Sequence, residues 1–261
     1  MILYKYVDLE TARKILANKT VRFTHTHDLN DPFEATCLLY ENETRNYHDR
    51  ENYFNHIKIS MSYGILSLSR SALNPLMWAH YGWGKKLPHN NGIYLGESNK
   101  SHGGMVIGID IDKAGFNNES WNVLPAKFGN VIYTTTKPTN VFSESQSYDL
   151  FEGAQYSYDP KLLEALQRVF LYKSSAWSYE EEVRVVRNIL KNPLQDFGYR
   201  GIQEIPSDSI MEVYIGCGHS HDEKNVTAFY EEIKAYIPSC KIFLCNTRGT
   251  TWDINFEEII F

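Results

Sequence analysis

Glu180, Glu182 and Arg184 occupy alternate positions in the run Trp177-Ser-Tyr-Glu-Glu-Glu-Val-Arg-Val-Val186. Along a β-strand alternate side chains share a face. The run therefore predicts two carboxylates and a guanidinium side by side, with Glu181, Val183 and Val185 turned the other way. Two carboxylates about 7 Å apart along a strand raise each other's pKa, which favours one of them as a general base. Two readings compete. One is an exposed edge strand decorated with charge; the other is a carboxylate pair set at the lip of a cleft for chemistry.

Other residues offer chemistry of lower specificity. Asn30-Asp31-Pro32-Phe33-Glu34 gathers an amide, two acids and a ring in a loop. It is either a functional loop or an Asx-turn that caps the next element. Trp78 and Tyr81 lie three apart on one helical face with His80 beside them, as a stacking surface or as ordinary core. His25-Thr-His27 and His219-Ser-His221 each bring two imidazoles to one face if extended. No acid or thiol stands at zinc-ligand spacing, so loop histidines are the simpler reading. Gly216-Cys-Gly218 lacks both the GxGxxG and the GxxxxGK[ST] pattern and reads as a plain strand-to-helix turn.

These groups need a scaffold. Ile2 to Tyr6 predicts a strand, Asp8 an N-cap, and Leu9, Ala12, Ile15 and Leu16 the apolar stripe of a three-turn helix. Val21-Arg-Phe-Thr24 predicts a strand, and Asn30-Asp-Pro32 breaks the chain. A helix is expected over residues 44–58 and a strand from Ile65 to Ser69. Asn74-Pro75 starts a helix that runs to Tyr81. Gly82 to Gly104 reads as a surface loop with a short hairpin around Ile93-Tyr94-Leu95. Val106 to Ile111 and Val131 to Thr134 read as strands, 135–158 as a flexible insertion, and Leu162 to Tyr172 as a helix. Residues 187–208 are punctuated by Pro and Gly. Met211 to Gly216, Glu223 to Tyr236, Lys241 to Cys245 and Trp252 to Ile254 read as strand, helix, strand and strand. The expected fold is one α+β domain over 1–261, with mixed or antiparallel sheets and flanking helices.

Composition narrows the function classes. The 261 residues are 43% hydrophobic and 14% aromatic, enough for a packed core, with 18 tyrosines and 5 tryptophans suited to flat ligands or to packing. A net charge of −6 gives no overall basic footprint for duplex nucleic acid, so such a substrate would need local patches such as Lys85-Lys86. Cys37, Cys217, Cys240 and Cys245 form no CxxC pair, and the chain starts without a charged-then-apolar leader. A reduced, cytoplasmic protein with buried thiols is expected, without a disulfide framework or zinc site. No apolar run approaches the roughly 18 residues of a membrane helix, so no membrane partner is expected.

Several motifs come in a recognisable order: Leu3-Tyr4-Lys5-Tyr6, Val21-Arg-Phe-Thr before Asn30-Asp-Pro-Phe-Glu34, Met77-Trp-Ala-His-Tyr81, Gly108-Ile-Asp110 and Trp177-Ser-Tyr-Glu-Glu-Glu-Val-Arg184. Over residues 2–190 the chain resembles a bacterial domain-of-unknown-function family often found near mobile elements and defence genes. It departs from the pattern by extra residues between Tyr81 and Gly104. More distantly, the order is similar to the ADP-ribosyltransferase superfamily. Ile2-Leu-Tyr-Lys-Tyr-Val7 and Lys14-Ile-Leu-Ala-Asn-Lys19 echo its opening strand and helix, with Lys5 in place of the usual His or Arg. Ser67-Leu-Ser69 matches its middle strand, and Glu180-Glu-Glu182 its late Glu/Gln-x-Glu.

This second resemblance implies an ADP-ribosyltransferase-like split β core and a mono-ADP-ribosyltransferase that consumes NAD. Breaking the nicotinamide–ribose bond creates an oxocarbenium-like centre that a carboxylate stabilises. On this reading Glu182 holds the ribose and Glu180 orients or deprotonates the acceptor. Arg184 pairs with Glu182 or a diphosphate oxygen. Lys5 and Arg22 meet the diphosphate or ribose, Ser67 and Ser69 bond the ribose, and Trp78, Tyr81 or Phe33 packs on nicotinamide. Tyr6, Thr24, Asn30 and His80 complete the expected cofactor-binding set. The acceptor is nucleic acid or protein. The setting is a toxin–antitoxin or phage-defence pair with a cognate antitoxin protein. Two rivals remain: a Mg²⁺-dependent nuclease using Asp31, Glu34, Glu180 and Glu182, and a non-enzymatic nucleotide-binding or sensor module.

Overall fold

The computed structural model describes residues 1–31, 33–34, 57, 59–84, 101–138, 150, 153–190 and 201–260. The helix expected over 44–58 falls almost wholly outside them, as do most of the 82–104 loop with its hairpin, half of the 135–158 insertion, and Cys37.

A large mixed sheet organises the chain. Its strands are β1 (Ile2–Val7), β3 (Thr24–His25), β4 (Tyr63–Ser69), β5 (Met105–Asp110), β8 (Glu182–Asn188), β10 (Ile210–Ile215), β11 (Lys241–Thr247) and β12 (Ile254–Glu258). They run in the order β12-β11-β10-β5-β1-β4-β3, with β8 on the remaining side of β4. Only β10 and β11 pair in parallel; the other neighbours in this sheet are antiparallel. Two small ribbons lie outside it: β2 (Thr20–Arg22) with β9 (Ile202–Glu204), and β6 (Ile132–Thr134) with β7 (Tyr172–Ser174). Mixed sheet with separate helices makes this an α+β fold, as expected.

The helices form where the local code asks for them. Asp8 caps α1 (Leu9–Asn18) by accepting from Thr11 N, and α1 buries the expected Leu9, Ala12, Ile15 and Leu16. Asn74 caps α2 (Pro75–Tyr81) by accepting from Leu76 N and Met77 N, with Pro75 in the first turn. Further helices among the described residues include α3 (Leu163–Phe170) and α4 (Glu223–Tyr236). The sheet buries one face against α1 and α4, where Leu3, Leu66, Leu68, Ile107, Val183 and Val213 join one core. Its other face carries two separate clusters. Tyr6, Val106, Tyr214 and Phe243 pack with Trp78 of α2, while Tyr63, Ile65 and Val186 pack with Leu166 and Phe170 of α3.

Three expectations need correction. Val21 to Thr24 is not one strand: β2 and β3 belong to different sheets, and Phe23 between them is buried in the main core with its N–H donating to Gly201 O. The helix expected to reach Tyr172 ends at Phe170, because Leu171 caps it and Tyr172 to Ser174 leaves to form β7. The last strand starts at Ile254, and Trp252 is 100% exposed outside it.

Candidate active-site cleft

The cleft arises where β1 and β4 part. They pair at Tyr4↔Ser69 alone; beyond that point β3 takes over the same edge of β4, at Thr24↔Ile65. Lys5 shares the pleat of Leu3 and Val7, whose side chains enter the main core, yet Lys5 lines the cleft. Its Nζ donates to the Ser67 carbonyl at 2.9 Å, on the edge that the parting strands leave unpaired.

On the opposite edge of β4, β8 pairs along its whole length. Ile65↔Val186 and Tyr63↔Asn188 stand over the α3 cluster, while Ser67↔Arg184 and Ser69↔Glu182 continue the same face. One continuous pleat thus changes from apolar to polar where the gap between the two clusters opens. All seven residues of β8 are buried. Its far edge is covered by the chain around Leu124 to Val131, with Arg184 N donating to Gly129 O at 2.8 Å and Val131 N to Glu182 O at 3.1 Å. A Cβ on Gly129 would stand 1.8 Å from the Arg184 carbonyl oxygen, so only glycine allows this cover. The exposed-edge reading of the acidic run is therefore excluded.

Glu182 and Arg184 share a face of β8 as alternation predicts, but Glu180 lies before the strand. Ser175–Glu180 is a 3-10 helix capped by Ser174, and Glu181 takes a left-handed φ of 45° before β8 begins. Glu180 nonetheless reaches the same cleft, because the turn folds it back beside Glu182, and Glu181 is left exposed. The turn is held by Asn74, whose Nδ2 donates to Tyr179 O at 2.6 Å, so the cap of α2 also fixes the approach of Glu180.

Within the cleft the charges are tightly paired. Arg184 is 1% exposed and spends every donor inside the protein. Nε and Nη2 grip Glu182 at 2.8 and 3.0 Å, Nη1 and Nη2 grip Glu34 at 2.7 and 2.5 Å, and Nη1 also donates to Phe170 O at 2.6 Å. Arg184 has no donor left for a diphosphate, so that expected role is withdrawn. Lys173, at the buried position of β7, bridges the carboxylates: its Nζ lies 2.6 Å from Glu180, 3.2 Å from Glu182 and 3.6 Å from Glu34. Tyr81 donates to Glu180 Oε1 at 2.8 Å and accepts from Asn30 Nδ2 at 2.7 Å.

This environment drives the two acids apart. Burial alone would raise the Glu182 carboxyl, but Arg184 and Lys173 outweigh it and bring the pKa down to about 2. The Ser67 hydroxyl also hydrogen-bonds Glu182 and acts in the same direction. For Glu180 burial wins over Lys173, and its pKa lies above the ordinary carboxylate range. The expectation that both acids are raised holds for Glu180 and fails for Glu182. Burial also lowers the Lys5 ammonium, against the pull of Glu182 and Glu180. Burial opposes charge on Lys173 too, yet Glu182, Glu34 and Glu180 more than offset it and the proton is held tightly.

Ten of the fourteen expected site residues converge here. Lys5, Tyr6, Thr24, Asn30, Ser67, Ser69, Tyr81, Glu180, Glu182 and Arg184 all line a cleft of about 250 Å³. Four do not. Arg22 is exposed and paired with Asp28 at 2.8 Å. Trp78 is fully buried, with Nε1 donating to Ala72 O, so the core reading wins for that ring. His80 is exposed and stacks on Tyr179 with centroids 5.8 Å apart. Phe33 lies in a separate hollow. Tyr6 lines the cleft wall, but its hydroxyl is committed to Ser71 O and Asn74 N.

Sequence reasoning missed Lys173, and nothing in its spacing from Glu180 marks it, because the contact joins different elements. It missed Tyr133 too, whose hydroxyl accepts from Glu182 N at 2.8 Å. The acids of the nuclease reading do not assemble as a metal cage. Glu34, Glu180 and Glu182 already hold two side-chain cations, and Asp31 lines the neighbouring hollow. The paired histidines are held by main chain and hydroxyl: His25 and His27 bond Ser60, and His219 bonds Gly103 O.

Residues 77–185 match the model of a family described as a protein of unknown function (DUF2971). The matched segment carries Tyr81, Lys173, Glu180, Glu182 and Arg184 of the cleft, but not Glu34. No curated protein and no solved structure matches the chain. No helix among the described residues is long and apolar enough to cross a membrane.

Proposed function

We propose that this cleft binds NAD and transfers its ADP-ribose to an acceptor, making the chain a mono-ADP-ribosyltransferase. The observation that carries the reading is the divergence of two neighbouring carboxylates, one held ionised by Arg184 and Lys173 and one raised by burial. Acid–base chemistry needs such a pair with separated roles. Ionised Glu182 stabilises positive charge on the ribose as the C1′–N bond breaks and the bonding electrons leave with nicotinamide. The acceptor then bonds to C1′ and gives up its proton to Glu180. Lys5, beside Ser67, offers a cation for the diphosphate, and Tyr81 bounds the cleft as a flat wall. The resemblance to toxin-type transferases adds the setting: a toxin restrained by a cognate antitoxin protein in phage defence.

The test is incubation of the purified protein with NAD and a mixture of bacterial RNA, DNA and protein. Released nicotinamide and a mass increase of one ADP-ribose on an acceptor support the proposal. NAD left intact, with phosphodiester cleavage that a chelator abolishes, supports a nuclease instead. Heat stabilisation by NAD without turnover supports a binding module. Expression of the chain alone is expected to slow growth of a bacterial host; unimpaired growth at high expression removes the toxin part.

A further inference from the structure

We propose that Lys5 is a carbonyl-reactive amine and that the cleft takes up a short polyhydroxy aldehyde, which Lys5 holds as an imine. Lys5 lines the cleft, and its Nζ donates to the Ser67 carbonyl at 2.9 Å. Among the described residues it makes no ion pair, although Glu34, Glu180 and Glu182 line the same cleft. Arg184 and Lys173 already hold all three acids. An ammonium taken out of water without a paired carboxylate is disfavoured against the neutral amine. Burial accordingly lowers Lys5 by more than Glu182 and Glu180 raise it. One N–H of the amine meets Ser67 O, which leaves the nitrogen lone pair for an electrophile.

The groups around the amine select the electrophile. Imine formation joins the amine nitrogen to a carbonyl carbon, breaks the C–O bond and releases the oxygen as water. It needs a group that gives a proton to the departing oxygen and takes one back from nitrogen. Glu180 lines the same cleft, acts on the Lys5 charge and holds its proton above the ordinary carboxylate range. No oxidant or reductant is required. Thr24, Ser69 and Asn30 line the remaining wall with hydroxyl and amide groups, which suit the hydroxyls of a small sugar-like chain. A diphosphate beside the same nitrogen would favour the ammonium, so the aldehyde is held only when no diphosphate is there. The inference stands on Lys5 and its surroundings and does not depend on NAD turnover.

The experiment incubates the full folded chain with D-glyceraldehyde and sodium cyanoborohydride at neutral pH, without NAD, and maps the product by peptide mass spectrometry. Cyanoborohydride supplies the hydride that fixes the imine as a secondary amine. Lys5 is expected to be labelled at least about tenfold faster than each of the exposed Lys14, Lys161 and Lys241. The heat-denatured chain is expected to lose that preference. In Glu180→Gln the lost negative charge alone would free more amine and speed labelling at Lys5. The expected result is instead slower labelling there, by at least about tenfold, with the exposed lysines unchanged, because the proton donor is gone. Lys5 labelled no faster than the exposed lysines, or a preference that survives denaturation, overturns the proposal. Equal or faster labelling of Lys5 in a folded Glu180→Gln protein overturns the part given to Glu180. Because the reaction contains no NAD, failure here and failure of the transferase reading are separate observations.

Discussion

Arg184 holds Glu182 with two hydrogen bonds, Nε to Oε1 at 2.8 Å and Nη2 to Oε2 at 3.0 Å, two positions apart on one buried strand. A charge removed from such a pair leaves its partner uncompensated in a poorly solvated place. Arg184→Leu strands both Glu182 and Glu34 and is expected to cost about 3–5 kcal/mol of folding stability. Denaturant unfolding of the variant checks this; a loss below about 1 kcal/mol would show that the pair is looser than its geometry.

Lys173 Nζ lies within 3.6 Å of three carboxylates, so its removal has a signature in pH. The Glu182 pKa lies below its ordinary value in the folded chain, to about 2. Its stabilisation is therefore present above the ordinary carboxylate range and is lost as pH falls toward 2. Lys173→Met raises the folded pKa values of Glu180 and Glu182, so the variant's deficit is expected to be greatest at neutral pH and to shrink as the solution is acidified. Melting temperatures of both proteins between neutral and acid pH give the comparison. A deficit that is constant with pH contradicts the bridge.

Glu180 sets the rising side of the activity profile under the proposed mechanism. Its pKa is raised by burial, so turnover increases with pH through a point above the ordinary carboxylate range. Lys5, lowered by burial, sets the falling side below the usual lysine range. The Tyr81 hydroxyl donates to Glu180 and favours its charged form. Tyr81→Phe is thus expected to move the rising side to higher pH by up to about one pH unit, which corresponds to the net value of one hydrogen bond. A rising side that stays in place, or moves to lower pH, counts against Glu180 as the base.

Glu181 separates the two acids by taking φ 45°, a region that costs a non-glycine residue about 1–2 kcal/mol. Its side chain is exposed and lines neither cavity. Glu181→Gly relieves the backbone and is expected to raise stability by up to about 1 kcal/mol with turnover retained. Loss of turnover in a stabilised variant would show that the middle acid takes part in the chemistry.

The sequence made the local structure legible where a short-range rule governs it. Asp8 and Asn74 with Pro75 marked two helix starts correctly, because caps act within three residues. Alternation put Glu182 and Arg184 on one face, because β8 is regular from its first residue. It misplaced Glu180 because the strand-favouring Tyr179 and Val183 masked a turn set by the Ser174 cap and the left-handed Glu181. The grip of Arg184 on Glu34 spans 150 residues, and the Lys173 bridge joins β7 to the turn and to β8. Spacing along a chain carries no information about such meetings; they follow from how elements stack.

The central claim is that the ionised Glu182 carboxylate drives cleavage of NAD. Glu182→Gln keeps nearly the same shape and removes the charge. With the protein held well below its own melting transition, the rate of nicotinamide release is expected to fall at least about 100-fold, or about 3 kcal/mol of transition-state stabilisation. Release at the parental rate from the folded variant would contradict the account.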